Sequence, residues 1–332
     1  TGGNPFFVNQ FLTMLHQEGF LVLNISTGNW EWNLKAITSL DITENVVDLL
    51  VKRIDRLPEA TRAIMKTAAC ISNVFFPETL RIVAGMDLPE LMTHLIPALK
   101  EDLLITFTEQ ESKITPEKTR NFKFSHDRVQ QAVYSLINSS EKESMHLKIA
   151  RLILEQTKPD QVEENIFNII HHLNIAANRI KEPQERTNIA SLYLIAGKKA
   201  KNTAAFEPAY TYFSTGTQIL GLRGWQTDYA LMIELQTASM ETALLCGKLK
   251  EMGKNFTAIK KYARQKIDLT DAYQIKIKSL MAQNNPAQAL SLARNILKEF
   301  GIPLPTKPDP NDIRTAINDT VRELAGRDTK AL

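Results

Sequence analysis

The spacing of apolar residues divides the chain into an N-terminal stretch of mixed periods and a longer stretch with a helical period alone. Between Asn4 and His16, residues Phe7, Phe11, Leu12 and Leu15 recur at three- and four-residue steps, which predicts a helix stopped by Gly19. FLVLN and WEWNL then flank STGN, the pattern of a β-hairpin. Thr43 is placed to cap a helix with Val46, Val47, Leu50, Val51 and Ile54 on one face. Pro58 opens another with Ile64, Met65, Ala68 and Ala69. Further helices are expected from Pro77 to just before Gly85 and from Pro89 to Leu99. Leu103–Phe107 and Asn121–Phe124 read as short strands around a polar loop containing Pro116. Helices followed by a two-stranded ribbon are the order of a winged-helix domain, expected over residues 43–138.

That domain closes on NFKFSHDRVQQAVYSLI, where the period changes midway. Up to Phe124 polar and apolar residues alternate. After Ser125, residues Val129, Ala132, Val133, Leu136 and Ile137 fall on one helix face. Ser125 is expected to be the N-cap. Beyond Ser139 strand signals nearly vanish. Ser140 and Glu143 make a capping-box pattern before a helix carrying His146, Ile149, Ala150, Ile153 and Leu154. Helical segments then pair into a weak repeat. Tyr193, Ala196, Gly197 and Ala200 precede Ala209, Phe213 and Gly216. Tyr273 and Leu280 precede Ala289, Ala293 and Ile296. Ala243, Met252, Phe256 and Ile259 form a looser middle pair. Large residues interleaved with small ones let paired helices approach and stack. The expected fold is mainly α, a winged helix followed over residues 139–332 by a tetratricopeptide-like (TPR-like) superhelix, with minor β in the hairpin and the wing. IPLPTKPDPND breaks the pattern before one last helix.

Composition narrows the setting. The 332 residues are 43% hydrophobic and carry a net charge of +3, too small to announce a nucleic-acid or membrane partner. Cys70 and Cys246 suit neither a disulfide framework nor a metal knuckle, so a reducing cytoplasm is expected. No apolar run approaches the roughly 18 residues of a transmembrane helix. The chain starts TGGNPFF and ends RDTKAL in mid-pattern, the expectation for a piece of something larger.

Catalytic signatures are missing. A phosphate-cradling loop needs G-x-x-x-x-G-K-[ST], so that successive N–H groups wrap the phosphates. The nearest stretch, IAGKKAKNT, lacks the first glycine and falls inside a repeat helix. No apolar strand ends in a magnesium-binding Asp, and no GxSxG, HExxH or CxxC occurs. His171 and His172 are adjacent, diverge by about 100° on a helix, and read as part of a solvated face. His94 reads as packing, and His16 as a cation favoured near a helix end. No catalytic residue, metal or resident cofactor is expected, and the chain alone is not expected to be an enzyme.

Two stretches stand out. GGNPFF is readable as an irregular loop with proline in the first helical turn. FSHDRVQ is readable as a cap, with Asp127 complementing the positive helix end and His126 simply exposed. A protonated imidazole is unfavourable there, however, and helix N-termini bind phosphates through free N–H groups. The position therefore also suits a neutral histidine that touches a phosphate brought by another domain.

Taken in order, GNPFF, ENVVDLLVKRIDRLPEATRAIMKTAACISNVF and FKFSHDRVQQAVYSLI resemble the second half of a STAND-class ATPase module. The resemblance is to the predicted ATPase region of large bacterial proteins that also carry serine/threonine kinase and sensor histidine kinase domains. It implies that residues 1–42 are the remnant of a helical lid plus the hairpin. In that class a G-x-P motif packs its proline on adenine, and here Gly3, Asn4 and Pro5 match it. A Met-His-Asp motif places its histidine on the β-phosphate of ADP. Here Ser125, His126 and Asp127 match, with serine in place of methionine. The nucleotide-binding core, ADP or ATP and Mg would belong to an upstream domain of the parent protein. The TPR-like repeats would bind a protein or peptide.

Two other readings stand beside this one. A winged helix can read DNA, but residues 77–102 offer only Arg81 and Lys100 as cations against five carboxylates, so no nucleic acid is expected. The repeats alone could also be a peptide-binding scaffold without nucleotide control.

Overall fold

The computed structural model describes residues 5–17, 19–39, 46–107, 121–305 and 307–324. The expected Thr43 cap, Gly3 and Asn4 lie outside them. Two compact units are present, Thr1–Lys181 and Glu182–Leu332.

In the first unit, helix α1 (Pro5–Gln17) packs on a hairpin of β1 (Leu21–Asn24) and β2 (Asn29–Trp32), followed by the short α2 (Leu34–Ser39). The register pairs Leu21 with Trp32 and Leu23 with Trp30, so one face of the hairpin is apolar. The His16 ring meets Trp30 edge-on, 5.4 Å between centroids. The strand pattern expected to run through Leu34 stops at Trp32, and Leu34 begins α2 instead.

Next come α3 (Val46–Asp55), α4 (Glu59–Ile71), β3 (Val74–Phe75), α5 (Pro77–Ala84), α6 (Leu88–Lys100), β4 (Leu104–Phe107), β5 (Asn121–Phe124) and α7 (Asp127–Ser135). The helix starts follow local chemistry. Pro77 stands at the first position of α5, and the Asp87 side chain accepts from the Glu90 N–H at the start of α6. The strands form one antiparallel sheet in the order β3-β5-β4, so the expected two-stranded ribbon has a third strand. Two residues carry no legible period, which is why β3 is invisible in the sequence. The core gathers Leu50, Ile54, Ile64, Met65, Leu80, Leu91, Leu95, Phe75, Phe122, Phe124, Val129 and Val133. Buried Arg53 donates to the Glu101 carbonyl and ties α3 to the end of α6.

Helices α8 (Ser139–Gln156) and α9 (Val162–Ala176) form a hairpin, and α8 rests on α4 and α5. The N-cap of α8 is Asn138, whose side chain accepts from the Glu141 N–H at 2.9 Å. The expected capping box at Ser140 is not the cap, because the cap stands two residues earlier, at Asn138.

The second unit is a stack of helix pairs, the TPR-like fold expected. It contains α10 (Pro183–Asn202), α11 (Phe206–Leu220), the single turn α12 (Gly224–Thr227), α13 (Tyr229–Leu245), α14 (Leu249–Tyr262), α15 (Thr270–Ala282), α16 (Pro286–Glu299) and α17 (Pro310–Leu324). Helix α10 packs on α11, α13 on α14 and α15 on α16, while α11 also packs on α13 and α13 on α15. Each pair turns through the same motif. Ala204, Gly247 and Asn284 take positive φ, and the next N–H bonds back five residues: Ala205 to Ala200, Lys248 to Ala243, Asn285 to Leu280, at 2.8–2.9 Å. This satisfies the last carbonyls of each first helix. One turn into each second helix, Ala209, Met252 and Ala289 are buried at equivalent places.

The first pair is the tightest. A Cβ on Gly197 would lie 2.3 Å from the Phe213 ring, and Phe213 is fully buried. Close approach of α10 and α11 therefore requires glycine here. Gly197→Val is expected to destabilise the second unit by about 1–3 kcal/mol through overpacking. The urea-unfolding midpoint checks this, and an unchanged midpoint contradicts the packing described.

Candidate functional site

The seam between β5 and α7 is built by backbone pairing. The Phe124 N–H donates to the Asn73 carbonyl and the Ser125 N–H to the Leu103 carbonyl, both at 3.0 Å. Chain so committed cannot yet be helical, so the N-cap of α7 falls on His126, which is extended at φ −156. Its Nδ1 accepts from the Arg128 N–H at 3.1 Å. This corrects the expectation that Ser125 is the cap. The Ser125 hydroxyl is buried, with no hydrogen-bond partner among the described residues.

An imidazole whose Nδ1 accepts a backbone N–H carries its ring proton on Nε2. His126 is exposed, so its ring stands at the mouth of α7. Asp127, also exposed, accepts from the Asn73 amide at 2.9 Å, and Gln130 donates to the Ala69 carbonyl at 3.1 Å. Both bonds anchor α7 to the end of α4. Pro5 is the exposed first residue of α1. Pro5 is held by the pairing of α1 with β1, and His126 by the packing of α7 on α3 and α4.

A second group of polar side chains lies behind the seam. Tyr134 of α7, His146 of α8 and His172 of α9 form a chain. The Tyr134 hydroxyl is 3.1 Å from His146 Nε2, and His146 Nδ1 is 2.7 Å from His172 Nδ1. Both histidines are buried, at 2% and 1% exposure. His172 therefore does not belong to a solvated face, contrary to the sequence reading; the 100° step along α9 turns it inward and leaves His171 exposed. Burial, with His171 and Lys142 nearby, holds His146 below the ordinary histidine range. Burial, with His146 and His171 as neighbours, does the same to His172. Beside them, burial pushes the Cys70 thiol up to about 12, and its Sγ lies 3.7 Å from Met145 Sδ. One signal of this group was legible: His146 falls on the apolar face of its helix. Its partners, 12 and 26 residues away, were not.

Among the described residues, no three His, Cys, Asp or Glu side chains are arranged to hold a metal ion. No helix among them is long and apolar enough to cross a membrane.

No family model matches the chain. Its sequence is similar to hybrid signal transduction histidine kinase G of Dictyostelium discoideum, 23% identical over an alignment covering 91% of this chain and 10% of that protein. The chain thus corresponds to about a tenth of that relative's length. Among solved structures it is similar to a signal transduction ATPase with numerous domains (STAND) protein with a tetratricopeptide repeat sensor from Pyrococcus horikoshii. That match has 14% identity and a TM-score of 0.33, and covers 78% of this chain and 41% of the other.

The histidine pair sets a pH dependence. Each ring has an unfolded value near 6.5 and is depressed in the fold, so the unfolded chain binds more protons at acid pH. Their contribution is complete above about pH 6.5 and is lost as pH falls towards the depressed values. Urea titrations from pH 7.5 to 4.5 should show stability falling with acidification, with a shallower fall in His172→Gln. Identical pH profiles would contradict the burial of a neutral pair.

Proposed function

We propose that the chain is the regulatory and interaction region of a STAND-type signalling ATPase. In this reading the α3–α7 bundle with its sheet is a winged helix, residues 1–42 are the end of a helical lid, and the TPR-like repeats receive a protein or peptide partner. His126 grips the β-phosphate of ADP held by a nucleotide-binding domain upstream in the parent protein. Pro5 lies against the adenine, and Ser125 and Asp127 support the seam. Exchange of ADP for ATP with Mg breaks the grip and releases the repeats. The parent would be the ATPase and could carry serine/threonine and histidine kinase domains. Similarity along 91% of the chain to a signalling histidine kinase is consistent with that setting.

The observation that carries the reading is the cap geometry of His126. Its Nδ1 accepts from the Arg128 N–H, which sets the exposed ring at the start of α7, where the positive helix end favours an anion. One hydrogen bond to a charged group is worth about 1.5–3 kcal/mol, enough to shift a balanced two-state switch by roughly tenfold or more.

Separating the latch from the cap tests this. His126→Ala removes both, and loss of a cap alone costs about 0.5–2 kcal/mol. His126→Asn keeps a capping oxygen but not the imidazole donor. In the full-length parent, ADP release should accelerate about tenfold in both variants, while the thermal stability of the present chain falls only in His126→Ala. Unchanged ADP release in His126→Asn refutes the latch. A tight, salt-sensitive complex of the chain with duplex DNA would favour the DNA-binding reading instead.

A further inference from the structure

The α8–α9 hairpin is joined to the α3–α7 bundle by a small apolar contact whose buried members are Cys70, Val83, Ile137 and Ile149. Clefts open on both sides of it. One, of about 880 Å³, lies between the end of α4, α7, α8 and α9 and is lined by Tyr134 and His146. The other, of about 350 Å³, lies between β3, α8 and α9 and is lined by His172. The His146–His172 pair forms part of the partition between them. The pair joins α8 to α9 inside the hairpin, and the Tyr134–His146 bond joins it to α7 of the bundle.

Its proton inventory is constrained. With Nδ1 facing Nδ1 at 2.7 Å, one nitrogen must donate and the other accept. In the neutral pair either Tyr134 donates to His146 Nε2 and His146 Nδ1–H to His172, or every bond runs the other way. One added proton fits: His146 as imidazolium donates through Nδ1 to His172 and through Nε2 to the Tyr134 oxygen. A second proton does not fit, because both Nδ1 atoms would carry hydrogen and two cations would stand with ring centroids 5.0 Å apart.

We propose that the Tyr134–His146–His172 chain is a proton-operated tie, closed with no or one added proton, whose double protonation parts α9 from α8. The surrounding groups support the release. His171 of α9 and the Lys142 ammonium of α8 face His146, with Lys142 held 4.3 Å above the Tyr134 ring. Cys70 of α4 is a neutral thiol, and Glu141 of α8 and Asp127 of α7 are the carboxylates near this cleft, Asp127 being bonded to Asn73. The His172 cleft is lined by no charged side chain. Among the described residues, no carboxylate bonds to either buried ring to offset the second charge. Exposed His171 and the open cleft give protons access.

Hydrogen exchange of the full chain, followed by mass spectrometry from pH 7.5 to 4.5 and corrected for intrinsic rates, tests the tie. Opening of residues 139–176 should rise by up to about 100-fold per pH unit below about pH 6, because two protons are taken up, ahead of residues 59–100. His146→Gln and His172→Gln should each reduce that slope to about tenfold or less. Unchanged slopes, or simultaneous opening of hairpin and bundle in the wild-type chain, overturn the proposal. Should either variant fail to fold, ¹⁵N spectra of the wild-type rings decide. At most one imidazolium in the pair while the hairpin is protected supports the tie, and two imidazolium rings in a protected hairpin overturn it.

Discussion

Burial of three phenylalanines at the centre of the small sheet governs the geometry of the first unit. Phe122 and Phe124 point inward from β5 and meet Phe75 of β3, with ring centroids 5.9 and 5.8 Å apart. Each buried ring contributes about 1.5–3 kcal/mol, so slipping β5 by one residue would expose both and bury Lys123 in their place. The register that keeps them inside pairs β5 on both edges and commits the Phe124 and Ser125 N–H groups to the carbonyls of Asn73, just before β3, and Leu103, just before β4. The first residue free to cap α7 is then His126. Its placement at the helix mouth follows from the core beneath it.

The second unit depends on a different device, a turn used three times. At Ala204, Gly247 and Asn284 the chain takes positive φ and folds the second helix of each pair back on the first. Only one of the three is glycine, so the backbone hydrogen bonds rather than the residue type hold the conformation. Close approach is concentrated in the first pair, where Gly197 faces Phe213, and Gly216 faces Leu235 of α13. Met240 and Ile277 follow Gly197 at the equivalent places in the later pairs, which pack through larger side chains.

The same side chain serves two unlike ends in this molecule. His126 closes a helix cap in water through its Nδ1; burial holds His146 and His172 below the ordinary histidine range, and each bonds the other. The first arrangement leaves the ring exposed. The second consumes the pair's polar contact internally, between α8 and α9. Exposure, not residue type, separates a ring suited to a ligand from one suited to holding helices together.

The residue pattern by itself determined the helix faces, the hairpin, the strand Asn121–Phe124 and the paired character of the C-terminal helices, because each rests on spacing within a few turns. It also marked Phe213 and Gly197 as partners of one helix pair. Only the tertiary structure decided the two-residue strand β3, the cap at His126 in place of Ser125, and the inward turn of His172. Those outcomes depend on hydrogen bonds and contacts from residues far along the chain, such as Leu103 to Ser125 and His146 to His172. A local period carries no information about which distant partner will be there.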